Sequence, residues 1–156
     1  MQIVQTAITG AEPIIDPTQP LFALNQFYRA FNGRDLMGMA DNWAHCDTIA
    51  MDNPLGGIKR GWLEIGDIYA RIFNGLARVY VEFYDYTLHE TEDMFYAVGR
   101  ERGALTVGDD RIDLHIRTSR IFRKRDRRWR QVHHHGSIDD PALLQHYQAL
   151  LLARPN

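Results

Sequence analysis

Three consecutive histidines, His133 to His135, are the residues of this chain whose type and spacing first suggest chemistry. A neutral imidazole can act as a general base near pH 7 and can also bind a metal ion. On a strand, His133 and His135 share one face and His134 lies on the other, so at most two of the three can converge. Zinc needs further protein ligands, and no suitably spaced HxH with a paired carboxylate supplies them. The run predicts no metal site and leaves a general base as an open interpretation.

Arg120 is the second candidate, because it interrupts an apolar strand face. The even-numbered positions from Ile112 to Phe122 form one face of a strand by the period-2 rule, and Arg120 is the single charge on it. A guanidinium in a packed core needs a carboxylate, a route to water, or a cavity where a ligand meets it. Glu101 and Glu82 are candidate internal partners, and a bound anion is the alternative. Both interpretations stay open.

The elements that must position these residues follow from periodicity. Helical spacing predicts one helix over residues 20–32, a short second helix with Asp35 as its N-cap, a third over 62–73 that ends at Gly75, and a fourth that begins at Pro141. Alternation predicts a short strand at 48–52 and long strands near 79–90, 94–106, 111–123 and 128–137, with a charged hairpin turn at 125–128. Helices followed by consecutive strands predict an α+β domain in which a curved antiparallel sheet packs on the helices.

Composition limits the classes of function. The 156 residues with 45% hydrophobic content fit one globular domain. A net charge of -2 gives no general attraction to nucleic acid or to a membrane, so neither is expected as a partner. The single cysteine, Cys46, excludes an intrachain disulfide framework and is interpreted as a small apolar residue. A cytoplasmic location is the expectation.

Three stretches, 31–36, 51–56, and 119–122 with 129–135, together resemble the nuclear-transport-factor-2-like superfamily. This superfamily includes the SnoaL-like proteins, the ketosteroid isomerases and the association (hub) domain of calcium/calmodulin-dependent protein kinase type II. The resemblance implies a cystatin-like roll, a cone of sheet and helices around a pocket. It divides the chain into an N-terminal arm at 1–19, a SnoaL-like cone domain at 20–140 and a helical tail at 141–156.

The isomerase resemblance can be tested residue by residue. It places Asn53 at the position of the catalytic base, Phe27 at that of the oxyanion-hole tyrosine and Thr118 at that of the second acid. An amide cannot replace the carboxylate base, and a phenyl ring cannot donate a hydrogen bond. Ketosteroid isomerase activity is therefore disfavoured. Asp52 could serve as the base if the strand is shifted, although on a regular strand it faces away from Asn53.

The hub resemblance implies other roles. His133 and His135 correspond to structural histidines on a packed sheet face, which leaves His134 to face the pocket. Arg100 and Arg120 correspond to pocket arginines, and two such groups on neighbouring strands could hold a small carboxylate. Four aromatic residues are candidate pocket walls, with a plain core role as the alternative: Trp43, Trp62, Tyr69 and Phe73.

Two classes of function remain open. The chain is either a pocket protein for a compact organic or carboxylate-bearing ligand or a non-catalytic association or ligand-sensing domain. If the pocket protein is an enzyme, we expect a cofactor-independent isomerase, cyclase, dehydratase or hydrolase. In either class we expect a homodimer through the outer sheet face, where Trp129, Ile121, His133 and His135 are predicted to lie.

Overall fold

The computed structural model of the protein describes residues 5–153. The helices are α1 (Pro20–Asn32), α2 (Leu36–Asn42), α3 (Gly61–Asn74) and α4 (Pro141–Leu152), and the strands are β1 (Ala50–Asp52), β2 (Lys59–Arg60), β3 (Arg78–Glu90), β4 (Met94–Val107), β5 (Asp110–Arg125) and β6 (Arg128–Ser137). This order confirms the predicted α+β class. Within the described part of the chain, no helix has both the length and the apolar character needed to cross a membrane.

One sheet of six strands, in the order β2-β1-β6-β5-β4-β3, forms the wall of the cone. The four long strands are antiparallel as predicted, and the β5–β6 hairpin turns at Asp126 and Arg127, whose φ angles of 50° and 63° suit a two-residue turn. The short β1 runs parallel to β6, however, so the sheet is mixed. This pairing brings residues 50–52 beside the three histidines.

The inner face of the sheet carries the core. Along β5 the alternation is as predicted, and Leu114, Ile116, Thr118, Arg120 and Phe122 are all buried. The first three helices cover this face with a group of aromatic side chains in mutual contact: Phe27, Tyr28, Phe31, Trp43, Tyr69 and Phe73. Asp35 caps α2 as predicted, because its side chain accepts a hydrogen bond from the backbone amide of Gly38.

A β-bulge at Val132 changes the parity of β6. Phe122 pairs with Gln131 while Ile121 pairs with His133, which leaves Val132 as the extra residue. Trp129 therefore faces inward, where it is 3% exposed and its ring centroid lies 5.0 Å from that of Phe95. The prediction that Trp129 lies on the outer face is wrong, since strict alternation does not continue through a bulge.

Part of the segment before α1 packs on the core. Ile8 is 3% exposed and forms an antiparallel bridge with Phe83 of β3. Gly10, at a φ of 95°, lies so close to α1 that a Cβ would overlap the backbone of Arg29. Glu12 closes the loop by accepting hydrogen bonds from the backbone amides of residues 9 and 10. The rest of the segment up to α1 is mostly exposed, with Ile15 at 88%.

The C-terminal helix α4 begins at Pro141 as predicted, with Asp140 accepting hydrogen bonds from the amides of Ala142 and Leu143. In α4, all of which the structure describes, Tyr147 is the one fully buried residue. Four half-buried leucines of α4 also pack against the core, namely Leu143, Leu144, Leu150 and Leu151.

Candidate functional site

An enclosed cavity of about 40 Å³ lies inside the cone, between α1, α3, α4 and the inner face of the sheet. Its walls are mainly apolar, with Phe27 and Phe31 from α1 and Met51 from β1. The polar side chains that line it are Asn53, Tyr69, Glu101, Arg120, His134 and Tyr147. A mostly apolar cavity with a few convergent polar groups is the usual form of a small-molecule site.

A buried ion pair, Arg120–Glu101, forms one wall of this cavity. Arg120 Nη2 donates to Glu101 Oε1 at 2.9 Å, and both side chains are at most 6% exposed. The same carboxylate oxygen accepts from the Tyr28 hydroxyl at 2.7 Å. Arg120 Nη1 donates to Gln131 Oε1 at 2.8 Å, and its guanidinium lies 3.5 Å above the ring centroid of Phe27. The carboxylate interpretation of Arg120 is therefore what the structure shows.

The electrostatics of this pair decide what the cavity can bind. Burial lowers the pKa of Arg120, but the neighbouring oxygens of Tyr28 and Glu101 outweigh it and raise the pKa. Arg120 thus stays positive, and the Glu101 carboxylate balances its charge. Each of the three guanidinium nitrogens of Arg120 already donates one hydrogen bond, to Tyr28, Gln131 and Glu101, which leaves two of its five N–H groups and no charge that Glu101 does not balance. The cavity wall is consequently neutral overall and favours an uncharged ligand.

His134 Nε2 is hydrogen-bonded to Thr118. The Thr118 hydroxyl lies 3.2 Å from the backbone carbonyl of His135 and 2.8 Å from His134 Nε2. Its single proton can go to only one of them, and we assign it to the carbonyl oxygen, so that Nε2–H donates to Thr118 Oγ1. In this tautomer His134 Nδ1 carries the lone pair. This nitrogen is buried and has no hydrogen-bond partner in residues 5–153.

Burial keeps His134 neutral. Desolvation, assisted by the charge of Arg120, holds the pKa of His134 well below its ordinary value. A neutral imidazole with a free lone pair at a cavity wall can accept a hydrogen bond or a proton.

Tyr69 supplies a matching donor. Its hydroxyl is buried and makes no hydrogen bond of good geometry among the described residues, although the N–H groups of Trp43 and Arg120 lie near enough to its oxygen to offset part of the rise that burial causes in the pKa of Tyr69. As donors they can only approach that oxygen, so the O–H of Tyr69 is still free to donate. Burial raises the pKa of Tyr69 to about 12, so the hydroxyl stays protonated at neutral pH. An unpaired buried polar group costs about 1–3 kcal/mol. The unpaired hydroxyl of Tyr69 and the unpaired Nδ1 of His134 on one cavity indicate a ligand or water that pairs with them.

Asn53, Phe27 and Thr118 lie in or beside this cavity. Asn53 and Phe27 line it, although Asn53 Oδ1 also accepts from the backbone amide of Leu55 at 3.1 Å. Thr118 contacts it through His134.

Arg100 does not converge with Arg120. It lies on the outer face of the sheet, where it pairs with Asp85 at 3.0 Å. The prediction that both arginines point into the pocket is therefore wrong. Phe95 and Ala97 of β4 face inward, so even-numbered residues of this part of the strand, Arg100 included, face outward. The same alternation places Glu101 inside. The orientations of Arg100 and Glu101 could therefore have been predicted from the sequence.

Asp52 also lies outside the cavity. Its Oδ2 accepts from His135 Nδ1 at 2.6 Å, and its Oδ1 is 3.7 Å from His133 Nε2. His133 Nδ1 donates to the carbonyl of Ala50 at 3.1 Å. These side chains tie β1 to β6. In the described residues, no three His, Cys, Asp or Glu side chains are grouped so that they could hold a metal ion.

The four aromatic residues predicted as pocket walls separate into three groups. Tyr69 lines the cavity. Trp43 and Phe73 are buried core residues whose rings contact that of Tyr69, at centroid distances of 6.5 and 6.0 Å. Trp62 lies outside and stacks on His45 at 5.1 Å. Tyr147 also lines the cavity, and its place there depends on how α4 packs and has no local signal.

The chain matches a family model described as the SnoaL-like domain over residues 22–141. No curated protein matches its sequence at a significant level. Among solved structures, a candidate calcium/calmodulin-dependent protein kinase type II association domain from Thiobacillus denitrificans is 27% identical, with a TM-score of 0.65 over 83% of this chain and 100% of the other.

Two further structures share the fold. A candidate dehydratase of the NTF2-like family from Streptomyces avermitilis is 21% identical, with a TM-score of 0.67 over 78% of this chain and 94% of the other. A ketosteroid isomerase-like protein from Erwinia carotovora atroseptica is 17% identical, with a TM-score of 0.63 over 76% of this chain and 92% of the other.

The buried ion pair gives a stability prediction. Arg120→Met leaves the Glu101 carboxylate buried and unpaired, so we expect the free energy of unfolding to fall by about 3–5 kcal/mol. The double variant Arg120→Met/Glu101→Met removes both charges and is expected to be more stable than Arg120→Met. The control is Arg100→Met on the exposed face, where loss of the pair with Asp85 costs about 0–1 kcal/mol. Urea unfolding measures all three variants, and equal losses for Arg100→Met and Arg120→Met would contradict the assignment.

The neutral His134 gives a pH prediction. Its folded pKa is depressed, so below an unfolded pKa of about 6.5 only the unfolded chain takes up this proton. The free energy of unfolding should therefore fall as pH drops below about 6.5, by up to about 1.4 kcal/mol per pH unit from this group. His134→Gln should lose that part of the slope, while the exposed His115→Gln keeps it. Unfolding curves between pH 7 and 5 test this, and identical slopes for wild type and His134→Gln would refute it.

Proposed function

The chain belongs to the SnoaL-like domain family, and we propose that it is a cofactor-independent acid/base enzyme acting on a compact, uncharged organic molecule. The observation that supports this proposal is the pair of unpartnered groups on one cavity, the lone pair of His134 Nδ1 and the hydroxyl of Tyr69. One is a base and the other is a donor. The fold alone does not carry the proposal, since it hosts many functions.

The proposed chemistry is proton transfer next to a carbonyl group. His134 Nδ1 removes a proton from the carbon beside the carbonyl, and Tyr69 O–H donates a hydrogen bond to the carbonyl oxygen as negative charge develops there. Return of that proton from His134 to another carbon gives isomerisation, whereas its transfer to a β-hydroxyl group, which then leaves as water while the carbon–carbon double bond forms, gives dehydration. Asn53 lines the same cavity and is a candidate for orienting the substrate.

The charge of the cavity supports an uncharged substrate. A carboxylate-bearing ligand would meet Glu101 and find the guanidinium of Arg120 already occupied. Transfer of an unpaired carboxylate into such a site is unfavourable. Among the ligand classes considered from the sequence, we therefore favour the compact neutral organic molecule over the carboxylate.

Deuterium exchange tests the enzyme proposal. We expect the protein to catalyse exchange of α-protons in D₂O for at least one member of a panel of small neutral ketones that includes cyclohexanone and acetophenone, followed by proton NMR. His134→Gln should lower the rate by about 10²–10⁴-fold, the usual contribution of a general base. Tyr69→Phe should lower it by about 10²–10³-fold, as for loss of an oxyanion donor.

Two matched variants control for nonspecific effects. His133→Gln alters a histidine of the same run that lies off the cavity, and Tyr86→Phe alters a buried tyrosine away from it. Both should keep the wild-type rate. Exchange no faster than in buffer for the whole panel would reject the enzyme proposal.

A second proposal, that the chain forms homodimers through its outer sheet face and serves as an association domain, is favoured by exposed apolar residues there. Tyr96 is 37% exposed and Val98 is 44% exposed, with Ile121 beside Tyr96 on the neighbouring strand. Contiguous apolar surface of this kind commonly marks an interface. The 27% identical association domain candidate is compatible with self-assembly.

Light scattering tests this second proposal. We expect a dimer at tens of micromolar, on the order of the concentration that populates a weak interface. Val98→Glu places two like charges near each other in a two-fold dimer, so it should shift the mass to that of a monomer. Leu63→Glu, on α3 with 90% exposure, is the control and should remain dimeric. A wild-type monomer would reject the interface.

A further inference from the structure

We propose that the side chain of Tyr147 occupies the ligand site, and that the natural ligand is a neutral molecule with a single aromatic ring that displaces it. This inference rests on the proposal that the cavity is the ligand site. It adds the chemical class of the ligand and the displacement of Tyr147 that lets the ligand bind. The Tyr147 side chain, which belongs to α4, thus competes with the ligand for the same site.

The position of Tyr147 supports this role. It is 5% exposed and lines the same cavity as Tyr69 and His134. The space left beside it, about 40 Å³, is enough for water but far below the roughly 300–1,000 Å³ of ordinary ligand pockets. A ligand larger than a few atoms therefore needs a lining side chain to move, and Tyr147 is the one that α4 supplies.

The surroundings of the Tyr147 ring suit another aromatic ring. Phe27, Phe31 and Tyr69 line the cavity, and Tyr69 makes edge contacts with both phenylalanines at centroid distances of 6.4 Å. Aromatic rings favour such edge and offset contacts over aliphatic packing of equal area. A ligand ring that replaces Tyr147 would lie against this aromatic wall of the cavity. A neutral hydroxyl or carbonyl on that ring could then pair with Tyr69 and with His134 Nδ1, which lack partners.

The attachment of α4 determines how Tyr147 can leave. Tyr147 is its one fully buried residue, and Gln148 Nε2 donates to the carbonyl of Pro54 at 2.9 Å. Four half-buried leucines of the helix also pack against the core: Leu143, Leu144, Leu150 and Leu151. The Arg117–Asp139 pair just before the helix is about 60% exposed on both sides, so it contributes little. Displacement of Tyr147 therefore requires either a rotamer change of its own side chain or a shift of α4 that loosens these leucine contacts.

This arrangement has a measurable consequence. A ligand that binds only when Tyr147 has left has an apparent Kd raised by the fraction of molecules that are open. Removal of the Tyr147 ring should remove this increase in the apparent Kd. The variant Tyr147→Ala should consequently bind an aromatic probe more tightly than the wild type does.

The test uses phenol as the neutral probe and benzoate as its charged counterpart, with binding measured by calorimetry or NMR titration. We expect Tyr147→Ala to bind phenol at least about ten-fold more tightly than wild type, which corresponds to 1.4 kcal/mol of removed competition. Leu144→Ala, a half-buried residue of the same helix, should bind phenol like wild type. Benzoate should bind weakly to all three proteins because Arg120, the cation among the described residues that line the cavity, is already paired with Glu101.

Equal phenol affinity for wild type and Tyr147→Ala, or no binding by a folded Tyr147→Ala, would overturn the proposal. If Tyr147→Ala does not fold, wild type decides: saturating phenol must remove the NMR contacts between the Tyr147 ring and the cavity walls, and retained contacts reject the displacement. The outcome is distinct from that of the enzyme proposal. Phenol binding without catalysed deuterium exchange would reject the enzyme proposal and leave the displacement of Tyr147 standing. Catalysed deuterium exchange together with an unchanged phenol affinity of Tyr147→Ala would reject the displacement and leave the enzyme proposal standing.

Discussion

The structure depends on one buried interaction, the ion pair between Arg120 of β5 and Glu101 of β4. Two charges in a core are tolerated only when they are paired and hydrogen-bonded. The chain meets this condition with groups from several elements. Tyr28 from α1 donates to the carboxylate, and Gln131 from β6 accepts from the guanidinium and donates on to Asn42 of α2. Breaking one member leaves the others unsatisfied, so the network ties two helices to three strands.

The same network shapes the cavity. One wall of the cavity is formed by an ion pair of zero net charge, in which Arg120 donates hydrogen bonds to Tyr28, Gln131 and Glu101. The groups that remain available to a ligand are Nδ1 of His134 and the hydroxyl of Tyr69, which lack hydrogen-bond partners among the described residues. A core that satisfies its ion pair so fully, yet leaves a base and a donor without partners on one small cavity, has the polar pattern of a binding site. This contrast is why we assign ligand recognition to these two residues and a structural role to Arg120.

The relation to similar structures follows from this division. The sheet, the first three helices and the enclosed space belong to the shared fold, which supports different activities in different proteins. The resemblance places Asn53 and Phe27 at the isomerase positions, and neither an amide nor a phenyl ring can supply that enzyme's base or oxyanion donor. The proposed reaction therefore uses side chains from other places in the cone. The helix α4 adds Tyr147, whose ring sets how much of the cavity is empty.

Local rules were sufficient for much of this protein. Periodicity in the sequence predicted the four helices, the long strands, the cap at Asp35 and the position of Arg120 on the apolar face of its strand, because these features depend on neighbouring residues and on side-chain direction within one element. Alternation along β4 also held the information that Arg100 faces outward and Glu101 inward. The resemblance to relatives supplied the cone and the enclosed space.

Only the tertiary structure decided the rest. The partner of Arg120 depends on the register between β4 and β5, and the tautomer of His134 depends on a threonine across the strand pair. The orientation of Trp129 depends on a bulge that breaks alternation at Val132. The insertion of Tyr147 depends on where α4 comes to rest. Each of these is a contact between residues far apart in the chain, and packing sets such contacts, whereas the pattern of any single segment does not.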